Sequence, residues 1–359
     1  MKYTTLLFIL LFSFLSTAFS QNPIPKYKCL SCNKECDKLT FDVSGICNHC
    51  QMNLIESDNL LTTEIDIQTG SGVFFIDGKK ENVIISVYYY KPKKFDSNSK
   101  ILLVIPGAGR NADTYRDSWI DDSEEFNLLI LSPMYNEEAY GFEDYHLCGL
   151  VNKSNLKSNI EYIENTNIVM LEEDGLNLSF NTNSDSWLFN DFDRIFGLTT
   201  EALATNQKSY DIFGHSAGGH ILHRLALFNK HSKVNKIIAS NASFYTLPGV
   251  DYNFPFGLKD MPINAEFLKY AFKKNLIVFL GELDNENEAR GTFLRSESAD
   301  KQGIHRLERG KFFFNDAKEI AEKYNYEYNW KIIIVSEIGH DYKLMGDKAA
   351  EYLYGNSKL

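Results

Sequence analysis

Short apolar runs alternate with helix-like stretches through most of the chain. Compact apolar runs bounded by polar residues or glycine are typical of buried strands. They lie at 83–90, 101–105, 127–132, 210–213, 236–240, 276–280 and 332–335. Helix-like stretches lie at 111–121, 187–198, 221–228, 264–272, 312–324 and 343–354. Strands that alternate with helices predict an α/β fold, in which a mostly parallel central sheet carries helices on both faces.

One turn between a strand and a helix carries the most specific pattern. Gly214-His215-Ser216-Ala217-Gly218 follows the apolar run at 210–213 and precedes the helix-like stretch at 221–228. Strand, G-x-S-x-G and helix together predict a nucleophile elbow, which holds the serine hydroxyl above the carboxyl edge of a sheet. Both glycines are expected because a side chain would collide with the tight turn. Ser216 is therefore a candidate nucleophile, although the pentapeptide alone also fits a glycine-rich turn.

The partners of such a serine are expected in the order acid, then histidine. Asp284 comes just after a predicted strand and is our choice for the acid. Glu282 is the alternative, since one residue of register decides which carboxylate points into the crevice. His340 follows the last predicted strand and is the expected general base. His305, in a polar stretch that follows no strand, is the second choice.

Backbone N–H groups near the serine should stabilise a developing oxyanion. Ala217 is expected to supply one of them. The other should come from the loop at 106–111, where Ala108 is the first choice and Gly109 the alternative. A phosphate cradle is the competing interpretation of this loop, but no Gly-Lys-Ser or G-x-G-x-x-G pattern completes it.

Candidate pocket residues lie near the elbow. His215 adjoins the serine, and Asn241, Phe244 and Tyr245 follow the strand after the elbow helix. Core packing is an equal alternative for the two aromatic residues. The stretch at 135–186 is longer than a strand-to-helix connection needs. We interpret part of it as a cover over the pocket, and a surface insertion without a role is the alternative.

With these residues in place, the chain resembles the α/β-hydrolase superfamily. It is similar to the secreted esterases that include polyhydroxybutyrate depolymerases and feruloyl esterases. The resemblance rests on the segments 106–115, 214–219, 281–284 and 339–340. It implies that Ser216, Asp284 and His340 form a triad that cleaves a small-molecule or polymeric carboxylic ester without a cofactor. A serine peptidase of the same fold and a non-catalytic binding protein are the alternatives.

The N-terminus has the layout of a secretory signal. Lys2 is followed by an apolar core at 6–15 and by small residues near position 20. We predict that residues 1–20 are removed and that the mature chain is secreted or periplasmic, with no remaining membrane span. A retained anchor is the alternative.

Five of the six cysteines crowd into residues 29–50. Cys29 with Cys32, and Cys47 with Cys50, form two C-x-x-C pairs at zinc-ribbon spacing. Four thiolates suit tetrahedral zinc. The spacing predicts a Cys-rich, zinc-ribbon-like head at 21–58 that holds a structural zinc or another soft metal, ahead of the hydrolase domain at 59–359.

Disulfides are the alternative for this head, because the predicted compartment is oxidising. Cys36 fits neither scheme. Cys148 is isolated and is interpreted as a buried small hydrophobic residue.

The formal net charge is −11. The chain has no basic stripe, so nucleic acid is not an expected partner. Nothing in the pattern indicates an oligomeric state.

Overall fold

The computed structural model describes residues 27–29, 35–49, 54–56, 65–80, 83–262 and 266–355. The predicted signal at 1–20 lies outside these ranges. In the head, three short strands form one antiparallel sheet with β1 in the middle. They are β1 (Tyr27–Lys28), β2 (Thr40–Phe41) and β3 (Ile55–Glu56).

The remaining strands lie between residues 70 and 335. In chain order they are β4 (Gly70–Asp77), β5 (Ile84–Lys91), β6 (Lys100–Ile105), β7 (Leu128–Met134), β8 (Val151–Ser154), β9 (Ile160–Tyr162), β10 (Ile168–Leu171), β11 (Leu178–Phe180), β12 (Tyr210–His215), β13 (Val234–Ser240), β14 (Asn275–Gly281), β15 (Phe293–Arg295) and β16 (Lys331–Val335). Eight of them form a central sheet in the order β16-β14-β13-β12-β6-β7-β5-β4. The six from β16 to β7 are parallel, and β5 and β4 continue the sheet antiparallel.

Helices follow most of the parallel strands. They are α1 (Ala112–Asp117), α2 (Ile120–Phe126), α3 (Phe142–Tyr145), α4 (Phe189–Ala202), α5 (Ala217–Phe228), α6 (Phe267–Ala271), α7 (Glu297–Gln302), α8 (Arg306–Lys323) and α9 (Tyr342–Tyr354).

Two cores lie on opposite faces of the sheet because strand side chains alternate. In β6, Leu103 packs into a core shared with α4, α5 and α8. Its neighbours Leu102 and Val104 pack into a second core with Trp119 and Met345, between the sheet and α9. The predicted α/β fold, with helices on both faces of a mostly parallel sheet, is confirmed.

Several boundaries differ from the sequence prediction. The single helix expected at 111–121 is two helices, α1 and α2. The helix expected from 312 begins at Arg306, because the ring of His305 caps its first turn by accepting a hydrogen bond from the Glu308 N–H at 3.3 Å. A capping side chain of this kind begins a helix before the apolar pattern of that helix starts.

Residues 135–186, here called the cover, form small sheets of their own. In one of them β8 pairs with β11, and in the other β10 lies between β9 and β15. Since β15 lies outside the cover, this second sheet joins the cover to the loop that follows β14. Within the described ranges, no helix combines the length and apolar character needed to cross a bilayer.

Candidate active site

The turn between β12 and α5 places Ser216 at the carboxyl edge of the sheet. Its backbone has φ 59° and ψ −115°, a strained conformation for a residue with a side chain. A Cβ on Gly214 would lie 2.6 Å from the Gly218 carbonyl oxygen, and a Cβ on Gly218 would collide with the Ile105 carbonyl oxygen. The tight turn therefore requires glycine on both sides of Ser216, as the sequence pattern predicts.

The loops after β14 and β16 bring a carboxylate and an imidazole together. His340 Nδ1 lies 2.7 Å from Asp284 Oδ2. The exposed fractions of the two residues are 8% and 1%. Because a carboxylate only accepts hydrogen bonds, Nδ1 carries the proton and Nε2 keeps its lone pair. His340 and Ser216 line the same cavity, and the ring of His215 lies 4.5 Å from the ring of His340.

A buried arginine holds the other oxygen of this carboxylate. Arg306 donates to Asp284 Oδ1 at 3.0 Å and to the carbonyl oxygens of Gly291 and Thr292, each at 3.0 Å. We did not predict its role from the sequence. The sequence carries one indication, because Arg306 is the first residue of α8. A positive charge in the first turn of a helix interacts unfavourably with the helix dipole unless a negatively charged group or hydrogen-bond acceptors pair with it.

The surroundings of His340 keep its imidazole neutral at neutral pH. Burial lowers its pKa below the ordinary value; the hydrogen bond to Asp284 opposes this shift, and the charge of Arg306 reinforces it. Burial also lowers the pKa of His215, with a smaller contribution from His340. Two uncharged rings therefore lie side by side in the wall of the cavity.

The loop between β6 and α1 approaches Ser216 closely. A Cβ built on Gly107 would lie 3.5 Å from the Ser216 Cβ. Ala108 and Gly109 line the cavity. Ala217 is the first residue of α5, so its N–H has no acceptor within the helix.

Contacts from the cover fix this loop in place. The Tyr145 hydroxyl donates to the Pro106 carbonyl oxygen at 2.7 Å. Arg110 is buried, stacks on the Tyr145 ring at 4.4 Å and donates to the Tyr135 carbonyl oxygen at 3.0 Å. The sequence identified the loop but did not indicate these two anchors.

The cavity has a volume of about 640 Å³. The cover supplies a large part of its lining, including Phe142, Leu147, Leu156, Val169 and Leu171. Part of the segment therefore lines the candidate site.

No protein-family model matches the chain, and no curated protein matches it significantly. Solved structures do match. Poly(aspartic acid) hydrolase-1 from Sphingomonas sp. KT-1 is 30% identical with a TM-score of 0.67, and the match covers 80% of this chain and 99% of that chain. LpqC, a poly(3-hydroxybutyrate) depolymerase from Bordetella parapertussis, is 22% identical with a TM-score of 0.68, over 81% and 92% of the two chains.

The chain is an α/β-hydrolase. The resemblance inferred from the elbow, the glycine-rich loop and the two strand-end residues is confirmed, since the matching structures are hydrolases and depolymerases of this fold.

The hydrolase places only two of the four predicted pocket residues on the cavity wall. His215 and Phe244 line the cavity, whereas Asn241 and Tyr245 do not. Tyr245 is fully buried and stacks on Phe313 with a centroid distance of 4.6 Å. The prediction failed for these two residues because an aromatic or polar residue after a strand can face either the crevice or the core.

Asn241 ties together the loops that carry Asp284 and His340. Its amide Nδ2 donates to the Gly339 carbonyl oxygen at 3.1 Å, and its Oδ1 accepts from the Gly281 N–H at 2.8 Å. Its side chain thus holds the loop preceding His340 against the end of β14, and it has a positioning role rather than a place in the pocket.

The two alternative residues lie elsewhere in the hydrolase. Glu282 is exposed and accepts from the Glu337 N–H at 3.1 Å, so its carboxylate is engaged away from His340. His305 caps α8.

Two further histidines line the cavity, and we had not assigned them to the site. His146 stacks on Phe142 with a centroid distance of 4.8 Å, and burial lowers its pKa to about 3. His220 Nε2 accepts from the Ser243 N–H at 2.9 Å, and burial lowers its pKa as well. Both rings are uncharged at neutral pH, so they add polar atoms without adding charge.

The head of the hydrolase contains a buried thiol cluster. The sulfur atoms of Cys29, Cys36 and Cys47 lie within 4.8 Å of one another. Cys32 and Cys50, the other predicted ligands, lie outside the described residues. Cys36, which fitted neither scheme from spacing, belongs to the cluster because the turn at 35–38 brings it inward. Soft sulfur donors this close together suit zinc or a similar metal.

Proposed function

We propose that this hydrolase cleaves carboxylic esters through an acyl-enzyme. Ser216 is the nucleophile, His340 the general base and Asp284 the acid that orients it. The observation that carries the proposal is the 2.7 Å contact between His340 Nδ1 and Asp284 Oδ2 beside the cavity that Ser216 lines. This contact fixes the imidazole with Nε2 available as a base.

The proposed reaction has two steps. Ser216 Oγ forms a bond to the ester carbonyl carbon while His340 Nε2 takes the hydroxyl proton. The bond to the alcohol oxygen then breaks, and His340 returns the proton to the departing alcohol. In the second step water attacks the acyl-enzyme, His340 takes a proton from the water, and the acid leaves as the proton returns to Ser216.

Backbone donors stabilise the negative oxygen that forms in each step. The N–H of Ala217 is one donor, and the N–H of Ala108 is the other, with Gly109 as the alternative. Fixed donors of this kind are worth about 10²–10³ in kcat each. The chemistry needs no cofactor.

The direct test measures turnover of a short-chain chromogenic ester by Ser216→Ala. We expect the rate to fall by about 10⁴-fold or more, because the nucleophile is removed. Ser336→Ala is the matched control: Ser336 is exposed and its loss should leave the rate unchanged. Equal loss in both variants, or none in Ser216→Ala, would remove the proposal.

Amide hydrolysis by the same triad is a second candidate function. The observation that favours it is the name of the 30% identical structure, which is that of a hydrolase of poly(aspartic acid), a polyamide. Turnover of a nitrophenyl ester and of the nitroanilide with the same acyl group separates the two candidates. We expect turnover of the ester without measurable turnover of the nitroanilide. Because serine amidases also cleave reactive nitrophenyl esters, it is cleavage of the nitroanilide at a comparable rate that would make the amide hydrolase the better description.

A secreted or periplasmic location also belongs to the proposal. It rests on the pattern of residues 1–20. N-terminal sequencing of the exported protein should begin near Gln21, and an intact N-terminus would contradict it.

We propose a structural metal in the head, held by Cys29, Cys36 and Cys47 and by one of Cys32 and Cys50, which makes four thiolates. Bound metal would supply folding energy to a segment too small for a core of its own.

Metal analysis of the purified protein tests this assignment. We expect about one zinc per chain, lost on Cys36→Ser and kept on Cys148→Ser, since Cys148 is buried in the hydrolase part. A metal-free protein with two disulfides among the five head cysteines would establish disulfides instead.

A further inference from the structure

The part of the cavity wall that the cover supplies is apolar and well packed. Leu156, Val169 and Leu171 line the cavity together with Phe244 from the loop after β13. The same four residues form one hydrophobic cluster with Leu294 of β15. Because the wall is part of a packed core, it offers a preformed apolar surface to whatever enters.

Each positively charged side chain that lines this cavity is either bonded to other groups of the protein or exposed to water. Arg110 donates to carbonyl oxygens of the cover. Arg290 forms ion pairs with Glu288 at 2.7 Å and with Asp341 at 3.2 Å. Lys157 is exposed, so its ammonium group can remain in water. None of the three presents a desolvated charge to a bound anion.

The cover carries much of the negative charge of the molecule. It contains ten acidic residues and two lysines, which gives −8 of the chain's total of −11. One of the acidic residues, Glu137, lines the cavity itself. Charge of one sign around a cleft repels ligands of that sign.

We propose that the group filling this cavity beside the scissile ester is uncharged and apolar, and that the acidic cover disfavours anionic chains. The inference rests on the proposed ester hydrolysis and names its substrate class. It separates this hydrolase from the matching poly(aspartic acid) hydrolase, since poly(aspartic acid) is a polyanion at neutral pH. Each methylene gained against the wall should raise kcat/KM roughly fourfold until the cavity is full.

Two matched pairs of esters test the proposal, so that either side of the ester can carry the group. The first pair is p-nitrophenyl hexanoate and p-nitrophenyl hemiadipate, which differ by a terminal carboxylate. The second pair is hexyl acetate and 5-carboxypentyl acetate. We expect kcat/KM to favour the neutral member of each pair by about tenfold or more. Added salt should narrow the difference, because screening weakens the repulsion.

A pair of charge variants locates the effect. Glu137→Gln should raise the relative rate of the carboxylate esters. Glu138→Gln makes the same change of charge at an exposed neighbour that does not line the cavity, so its effect should be smaller. Equal effects of the two variants would mean that only the overall charge of the protein affects the rate of the carboxylate esters. That result would overturn the role proposed for the cavity.

The outcomes keep the two proposals apart. Turnover of the carboxylate esters at an equal or higher rate would overturn this inference and leave ester hydrolysis standing. If such a preference also disappeared in Lys157→Gln, Lys157 would be an anion anchor instead. Failure of every ester would remove the proposed function, and this inference with it.

Discussion

The scaffold and the cover of this hydrolase use polar residues in opposite ways. In the scaffold, which is the hydrolase part outside the cover, the polar residues of the candidate triad's acid–histidine pair are buried and paired with one another and with a buried arginine, as Asp284, His340 and Arg306 are. In the cover the charges are mostly exposed, and the wall facing the cavity is apolar. From this difference we expect the scaffold to hold the reactive groups in place and the cover to determine which substrates reach them.

Two arginines at the start of α8 join these regions. Arg306 binds Asp284 and the carbonyl oxygens ahead of β15. Arg309, fully buried, donates to the Leu294 carbonyl oxygen of β15 at 2.7 Å and to the Ser243 carbonyl oxygen at 2.6 Å. Since β15 pairs with β10 of the cover, α8 links the acid of the candidate triad to the cavity wall.

Among the variants that test this comparison, a change at Asp284, the proposed acid in the scaffold, should lower the activity most. Asp284→Asn should lower kcat by about 10⁴-fold, because an amide no longer favours the required tautomer of His340 or stabilises its charged form. Glu282→Gln makes the same chemical change two residues away and should alter the rate by about twofold at most. Steady-state kinetics with circular dichroism as a check on folding measures both. A larger loss in Glu282→Gln would move the acid to that residue.

A smaller effect is expected at the junction between the regions. The wild-type kcat/KM should fall at acid pH with a midpoint below 6.5, since His340 must be neutral and its pKa is lowered, first by burial and also by the charge of Arg306. Arg306→Met removes that charge, so the midpoint should move to higher pH while the rate falls by about 10²-fold through misplacement of the site. Asp284, Glu288 and His215 also lie beside His340, Arg290 forms ion pairs with Glu288 and Asp341 next to them, and none of these residues is changed in the variant.

Arg306→Lys is the matched control for that experiment. It keeps the charge and loses the forked geometry, so the acid midpoint should stay near the wild-type value even if the rate falls. Identical acid midpoints in the wild type, Arg306→Met and Arg306→Lys would show that the charge of Arg306 does not affect the pKa of His340. Arg306 would then have only a structural role.

The smallest effect is expected in the cover. Leu171→Ala removes apolar surface from the cavity wall and should lower kcat/KM for a hexanoate ester by roughly tenfold. We expect the loss to appear in KM, with kcat nearly unchanged and acetate esters little affected. Leu344→Ala, at an exposed position of α9, should change neither parameter. A loss in kcat for both esters would show that the cover also shapes the reactive groups.

The sequence predicted the scaffold better than the cover for a physical reason. Ser216, Asp284 and His340 lie one, three and five residues past the ends of β12, β14 and β16, so local patterns were enough to place them at one edge of the sheet. Arg306 reaches Asp284 across 22 residues, and such a polar contact leaves no periodic signature. The strands of the cover are three or four residues long, and the pairings of β8 with β11 and of β10 with β15 join distant segments, which no local pattern specifies.

Asn241 and Cys36 are two single residues whose contacts in the folded chain could not be predicted from the sequence. A polar residue at a strand end suggested the pocket, but the amide of Asn241 bonds to two loops that meet only in the folded chain. From spacing alone Cys36 did not fit the metal or the disulfide scheme cleanly, whereas the folded head brings it beside Cys29 and Cys47.

Covalent labelling with a fluorophosphonate tests the central claim most directly, because the probe reacts only with an activated serine. We expect one label per chain, mapped by mass spectrometry to Ser216, with labelling greatly slowed in Asp284→Asn and His340→Asn. A folded wild-type protein that takes up no label, or takes it up at another residue, would contradict the account.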